Sequence, residues 1–213
     1  SLIRNRALIH FTKQPRQSID RHKEELRLSK SIKEKISALY GLSLSKSRNG
    51  EHSEALELAR KALSLDSENL ILQMALLEVH MNAKNLLESQ SLAKNLLEVN
   101  PGNYPLTIFY SRILMDAEKF EEAEDQLKRL TVKRSSDPQI WYWLAETQGL
   151  SKNIIGLHQS RAEYFFLTGD YDQSIKHLRW ALELAGKNFQ ITESIYLNIE
   201  KAHEAKESLK KFS

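Results

Sequence analysis

Cysteine is absent from the 213 residues. That excludes disulfides and thiolate metal or nucleophile sites, and it leaves the compartment open. Proline occurs four times and glycine seven, too few for an all-β fold with a tight turn at every hairpin. No apolar run approaches the roughly 18–20 residues of a membrane-spanning helix. No signal-peptide pattern is present, and the first residue is Ser. The chain is therefore expected to be a fragment or a processed form. What remains is 41% apolar and 28% charged and rich in Leu, Ala, Glu, Lys and Ser, a composition that suits helices and can bury a sizeable core or a long array.

The net charge of +3 is unevenly placed. Residues 1–35 carry ten Lys/Arg against four Asp/Glu, which leaves the remainder at −3. Such a segment is compatible with nucleic acid or an anionic membrane. Only Phe11 interleaves its charges with an aromatic ring, so a solvated helix and connector is the favoured reading. No nucleic-acid partner is expected.

One short pattern recurs: a turn, an aromatic or apolar residue, then a small residue. It reads Gly50-Glu51-His52-Ser53-Glu54-Ala55, Lys84-Asn85-Leu86-Leu87-Glu88-Ser89, Glu118-Lys119-Phe120-Glu121-Glu122-Ala123 and Gly169-Asp170-Tyr171-Asp172-Gln173-Ser174. Ala55, Ser89 and Ala123 are spaced by 34 and 34. A fixed period of that size, made of two helical halves, predicts a helical solenoid. The next step, from Ala123 to Ser174, is 51, or one and a half periods.

The expected division is a basic connector and short helix over 1–35, repeats over 36–185, and a capping helix over 186–213. The repeats run at about 36–69, 70–103 and 104–137, with an irregular one at 138–185. Residues 1–16 read as a connector ending near Pro15, and 17–30 as a short amphipathic helix with Ile19, Leu26 and Leu28. Ile36, Leu39, Leu42 and Ser43 form the packed stripe of the first repeat helix, which Asn49-Gly50 stops. Ser53 is expected to cap the next helix, whose Ala residues allow close approach. Pro101 and the 134–138 stretch end the second and third pairs.

Helices over 138–150 and 154–168 then read as two first-type helices in succession. Either one steps out of the array or the stack bends there. All three Trp residues (141, 143 and 180) fall in this region, and they are expected to fill a gap left by the break. The last helix, about 191–211, carries only a thin apolar stripe of Ile195, Ile199 and Ala202, as a terminal cap should.

The 34-residue period, the turn-aromatic-small motif and the Pro101 terminator resemble tetratricopeptide (TPR) repeats. The resemblance implies an all-α, TPR-type α-solenoid of antiparallel helix pairs with a C-terminal capping helix. A narrower resemblance rests on residues 156–165, the Gly169–Ile175 stretch, the upstream 141–146 stretch and Arg4-Asn5-Arg6. These are similar to the C-terminal TPR domain of BepA-type (YfgC-like) periplasmic zinc metalloproteases. That family implies an upstream zinc peptidase domain with HExxH, a periplasmic location, and a role in the assembly and quality control of outer-membrane β-barrel proteins.

Within this chain no catalytic constellation appears. A zinc protease helix needs two His four apart with a Glu beside the first. The nearest string, His203-Glu204-Ala205-Lys206-Glu207, has Glu in place of the second His. His80 and His158 are read as hydrogen-bonded packing residues. No metal or cofactor is expected here, and zinc is expected only in the absent peptidase domain.

In TPR pairs the first helix lines the concave side. The positions off its packed stripe give a candidate protein-binding groove: Tyr40, Leu44 and Arg48; Met74, Glu78, Met81 and Asn82; Ile108, Arg112 and Met115; Tyr142 and Glu146. All three Met of the chain are in this set, and Met suits surfaces that accept varied apolar partners. The expected function is a non-catalytic protein-protein interaction module that binds substrates or partners for a zinc peptidase. Its expected partners are protein segments, including outer-membrane β-barrel proteins or their assembly machinery, and its own peptidase domain. The alternative is a regulatory or oligomerisation scaffold whose groove is filled intramolecularly.

Overall fold

The computed structural model describes Leu2 and residues 14–210. Among these residues the architecture is all-α, with eleven helices and no strand. The chain divides into two compact units between Asn100 and Pro101.

The first unit contains α1 (Pro15–Leu28), α2 (Ile32–Arg48), α3 (His52–Leu65), α4 (Leu70–Asn82) and α5 (Leu86–Val99). Apart from Leu2 and residues 14–16, the expected connector, with Phe11 and Arg4-Asn5-Arg6, lies outside the described residues. Pro15 opens α1 at a first-turn position, where its missing N–H costs nothing. Helix α2 begins at a capping box. The Ser31 hydroxyl accepts from the Glu34 N–H at 3.2 Å, and the Glu34 carboxylate accepts from the Ser31 N–H at 3.2 Å.

Helix α2 ends at Gly50, whose φ of +84° lies in the left-handed region. Lys84, Glu118 and Lys152 hold the same kind of turn elsewhere at φ of +58° to +61°. A side chain there costs roughly 1–2 kcal/mol. The expected Ser53 cap is corrected: α3 starts at His52, and its N-cap is Glu51, which makes no side-chain cap bond. The Glu51 carboxylate is instead taken by the Lys46 ammonium and the Asn49 amide.

Small residues at Ala55, Ala59 and Ala62, all buried, let α3 lie close against α2. They join Leu39, Tyr40, Leu44, Leu72, Leu76 and Val79 in one core. Helix α1 closes a further face of α2. His22 is fully buried, and its Nδ1–H donates to the Ser18 carbonyl at 2.7 Å. Its Nε2 accepts from Arg21 at 3.0 Å. The Ser18 and Ser45 hydroxyls meet at 2.8 Å. The imidazole lies where Gly41 has no side chain: a Cβ there would stand 2.2 Å from His22 Nε2. Burial, and then the Arg21 charge, hold the His22 pKa below the usual histidine value.

The second unit contains α6 (Tyr104–Asp116), α7 (Phe120–Lys133), α8 (Pro138–Leu150), α9 (Ile154–Leu167), α10 (Tyr171–Ala185) and α11 (Phe189–Lys210). Asn103 and Asp137 cap α6 and α8, each with Pro in the first turn. Helix α9 packs on α8 and on α10, with small residues toward both. Toward α8 it presents buried Gly156, where a Cβ would meet Gln148 Nε2 at 2.7 Å. Toward α10 the Ala162 carbonyl accepts from the Ser174 hydroxyl at 2.9 Å, and Ala162 packs with Leu178, Ala181, Ala185 and Ile195.

The half-period is thus absorbed by one helix that serves two neighbours. Trp141 and Trp143 are half-buried and Trp180 is 37% exposed. At Gly149 a Cβ would stand 2.8 Å from Leu157 Cδ1, so α8 and α9 approach closely there as they do at Gly156.

A buried polar network ties α7, α8 and α9 together. One Glu124 carboxylate oxygen accepts from Gln148 at 3.0 Å, from Lys128 at 2.8 Å and from Asn153 at 3.3 Å. The Gln148 carbonyl oxygen accepts from the Ser160 hydroxyl at 2.7 Å. Burial alone would raise the Glu124 pKa, but the bonds from Lys128 and Gln148 outweigh it and hold the carboxyl below its usual value.

Candidate protein-binding surface

In the first unit two of the sequence-predicted groove residues are corrected. Tyr40 is 0% exposed and Leu44 3%; both belong to the core with Leu72 and Val79. Their helix is enclosed by α1, α3 and α4, so the face expected to be open is shut. Arg48 is exposed at the end of α2. On α4, Met74, Glu78 and Met81 are half-buried. Asn82 is exposed, and its amide donates to the Ser47 hydroxyl at 3.0 Å, fastening α4 to α2. His80 is buried, with its Nδ1 3.3 Å from the Asn85 amide. Burial and then Arg60 hold its pKa low.

In the second unit the predicted residues are brought together through direct neighbours. Ile108 is half-buried on α6. Arg112 is exposed, and its guanidinium lies over the Trp143 ring at 5.3 Å. Met115 Sδ accepts from the Thr147 hydroxyl at 3.2 Å. Glu146 accepts from Arg161 at 2.6 Å. The Tyr142 ring stands 5.4 Å from Trp143 and 6.0 Å from Tyr164.

From Tyr164 the chain of rings runs on through residues that sequence reasoning did not place in the groove. Tyr164 meets Phe165 at 5.3 Å, Phe165 stacks on His177 at 5.4 Å, and His177 meets Trp180 at 5.0 Å. His158 joins both His177 and Trp180. Seven rings on α8, α9 and α10 form one ladder, and none of them is fully buried. Offset and edge contacts of this spacing each add about 0.5–1.5 kcal/mol beyond area burial. The signal available in the sequence was the aromatic density of 141–143 and 164–166. Nothing in helical periodicity links those rings to His177 and Trp180 on another helix.

The Nδ1 atoms of His158 and His177 face each other at 3.0 Å. Burial, followed by the charges of His158, Arg161 and Lys176, pushes the His177 pKa down to about 4. Burial and Arg161 lower that of His158. A histidine held low in the fold takes up fewer protons than in the unfolded chain. Stability is therefore fully present above about pH 6.5 and falls as pH drops toward 4. The ring is partly solvated, so the loss is on the order of 1 kcal/mol after screening. Urea unfolding at pH 7 and pH 4.5 should show a smaller acid loss for His177→Phe than for the parent. Equal losses would contradict the assignment.

Among the described residues no group of three or more His, Asp or Glu could hold a metal ion, and no helix is long and apolar enough to cross a membrane. His203 and Glu204 lie on the exposed side of α11.

Two stretches match family models described as tetratricopeptide repeat: residues 36–69 and 83–146. No curated protein matches the chain. Among solved structures, the chain is similar to a thermophilic TPR protein from Thermus thermophilus, at 18% identity over 93% of this chain and 96% of that one, with a TM-score of 0.56. It is similar to MamA from Desulfovibrio magneticus, at 12% identity over 81% and 96%, with a TM-score of 0.56. It is also similar to YrrB, described as a TPR protein with an unusual peptide-binding site, at 16% identity over 80% and 86%, with a TM-score of 0.55. With the helix pairs described above, these likenesses define the fold: an all-α solenoid of TPR type.

Proposed function

We propose that this chain is a non-catalytic protein-binding module. The observation that carries the reading is the exposed and half-exposed side chains on the first helices of TPR-type pairs. These are Met74, Glu78 and Met81 in the first unit, and Ile108, Arg112, Met115, Tyr142 and Glu146 in the second. A helix face of this kind accepts extended or helical segments through apolar contacts fixed by a few charges. YrrB, of similar fold, is described as having a peptide-binding site.

The finer reading is that the module serves a periplasmic zinc metalloprotease engaged in outer-membrane protein assembly and quality control, with zinc in the peptidase domain alone. Its support is the resemblance of residues 141–146, 156–165 and 169–175 to the last repeat of BepA-type proteins. The full reading frame upstream of Ser1 tests it: an HExxH helix behind a signal peptide is expected, and a frame without them rejects the parentage.

For the binding reading, the measurement is co-purification of outer-membrane β-barrel proteins or their assembly factors with the wild-type chain and with Arg112→Glu/Met115→Ala. Capture should drop in the double variant while its helical circular dichroism persists. Undiminished capture by the folded variant removes these residues from the site. A second reading, self-association, is favoured by the exposed apolar side chains Phe189, Tyr196, Leu197 and Leu209 on α11. Light scattering of the purified chain distinguishes it.

A further inference from the structure

Helix α11 has two unlike faces. Ile195 and Ala202 are fully buried, and Ile191 and Ile199 pack on the same core as Ile195. Away from that core, Phe189, Glu193, Tyr196, Leu197, Glu200 and Glu204 recur at spacings of three and four and share one exposed face. Its three apolar side chains are each more than half exposed. The lysines of the same helix do not neutralise it. Lys206 is taken by Asp172 of α10, and the Lys201 ammonium lies over the Phe166 ring at 4.5 Å.

The first unit carries a surface of opposite sign. At the corner between α1 and α2, Leu28 and Ile32 are each more than half exposed, and Lys30, Lys33 and Lys35 are exposed beside them. The carboxylates near this corner are engaged locally. Glu34 accepts from the backbone N–H groups of Lys30 and Ser31, at 2.6 and 3.2 Å. Glu24 accepts from Arg27 at 2.8 Å, and Glu25 lies 3.6 Å from Arg21. Among the described residues, none of Lys33, Lys35, Glu193, Glu200 and Glu204 takes part in an ion pair.

Exposed apolar side chains set among charges mark association surfaces. Here the charges decide the occupant. Two α11 faces laid together would oppose Glu193, Glu200 and Glu204 to their own copies, and two corners would oppose lysines to lysines. Like charges so placed suppress a contact. The corner and the α11 face instead match, with apolar groups on both, lysines on one and glutamates on the other. One chain supplies both surfaces, so they are always present in equal number.

We infer that the exposed face of α11 docks on the α1–α2 corner of a second copy of this chain. The contact joins two different surfaces, so it is heterologous and can repeat from copy to copy. This rests on the self-association reading and goes beyond it by naming both surfaces and their pairing.

The test is multi-angle light scattering of the whole chain over rising concentration. The mean mass should climb, and climb less when NaCl is raised from about 0.05 to about 0.5 M. Lys33→Glu/Lys35→Glu and Glu200→Lys/Glu204→Lys change only exposed positions and should keep their helical circular dichroism. Each variant alone should need at least about tenfold more protein to reach the parental mass. Mixed together, the two variants should recover association, because each supplies the surface that the other has reversed.

A parent that associates while neither charge reversal weakens it overturns the inference and leaves the self-association reading standing. So does a mixture that associates no better than its parts. A parent that stays monomeric throughout loses both. A monomeric chain that sediments with phosphatidylserine vesicles through Lys33 and Lys35 assigns the corner to a membrane surface and overturns the inference as well.

Discussion

Gly41→Ala should cost the first unit roughly 2–3 kcal/mol and release α1 from α2. The added methyl would lie 2.2 Å from Nε2, 2.3 Å from Cδ2 and 2.9 Å from Cε1 of His22. Real Cβ contacts do not come this close, and the imidazole has nowhere to go. Its Nδ1–H is held by the Ser18 carbonyl, its Nε2 by Arg21, and the ring is fully buried. The helix must move instead. With it goes the Ser18–Ser45 bond. The expected readouts are a lower urea midpoint and loss of amide-exchange protection confined to α1. His22→Ala alone should cost less, because it removes a ring without driving the helices apart. The double variant should be more stable than the sum of the two single losses requires, since the clash exists only when both groups are present. Strictly additive losses, or a Gly41→Ala protein with α1 still protected, would sink the account.

Gln148→Leu should cost roughly 2–4 kcal/mol. The leucine is close in volume, so packing changes little. What is lost is polar: Glu124 loses an amide donor, and the buried Ser160 hydroxyl loses its acceptor. The penalty of leaving such groups without partners exceeds the net value of the bonds themselves.

Gln148→Glu separates this from a packing effect through pH. It places a second carboxylate at the position 3.0 Å from Glu124, and like charges at that distance raise the pKa of the pair. The folded state then binds more protons than the unfolded one above the ordinary carboxylate range. Its stability should therefore rise as pH falls from 7 toward 5. The parent behaves oppositely. Its Glu124 is held low, so the contribution is present above the ordinary carboxylate pKa and is lost as pH falls through the folded value. Urea titrations of variant and parent at pH 7 and pH 5 give the sign by difference, because the acid loss from His177 is common to both. The deficit of the variant against the parent should shrink at pH 5, and a deficit that is unchanged or larger would refute the role of the network.

The repeat was legible because it rests on local demands. Ala55, Ser89 and Ala123 sit where two helices approach most closely, and all three are buried. Any larger residue would push the pair apart, so the period survives in the sequence even where Lys84 and Glu118 stand in place of a turn glycine. The status of Tyr40 and Leu44 was not legible. Their exposure depends on whether something covers α2, and the cover includes α1, whose own pattern of Ser18, Ile19 and His22 reads as a thin stripe among charges. The ladder was hidden for a related reason. Each ring obeys the rules of its own helix, and their alignment across α8, α9 and α10 follows from Gly156 and Ala162 letting those helices come close. His158 and His177 are 19 positions apart, and no helical period connects them.

Helix α1 also bears on how this scaffold can be re-engineered. A repeat array is extended by seating a further helix pair against an open helix face, and the face of α2 that bears Gly41 and Ser45 is already taken by α1 through His22 and Ser18. An upstream graft would compete with α1 for that face. A designer would have to delete residues 15–28 and restore a side chain at Gly41 before the new pair could seat.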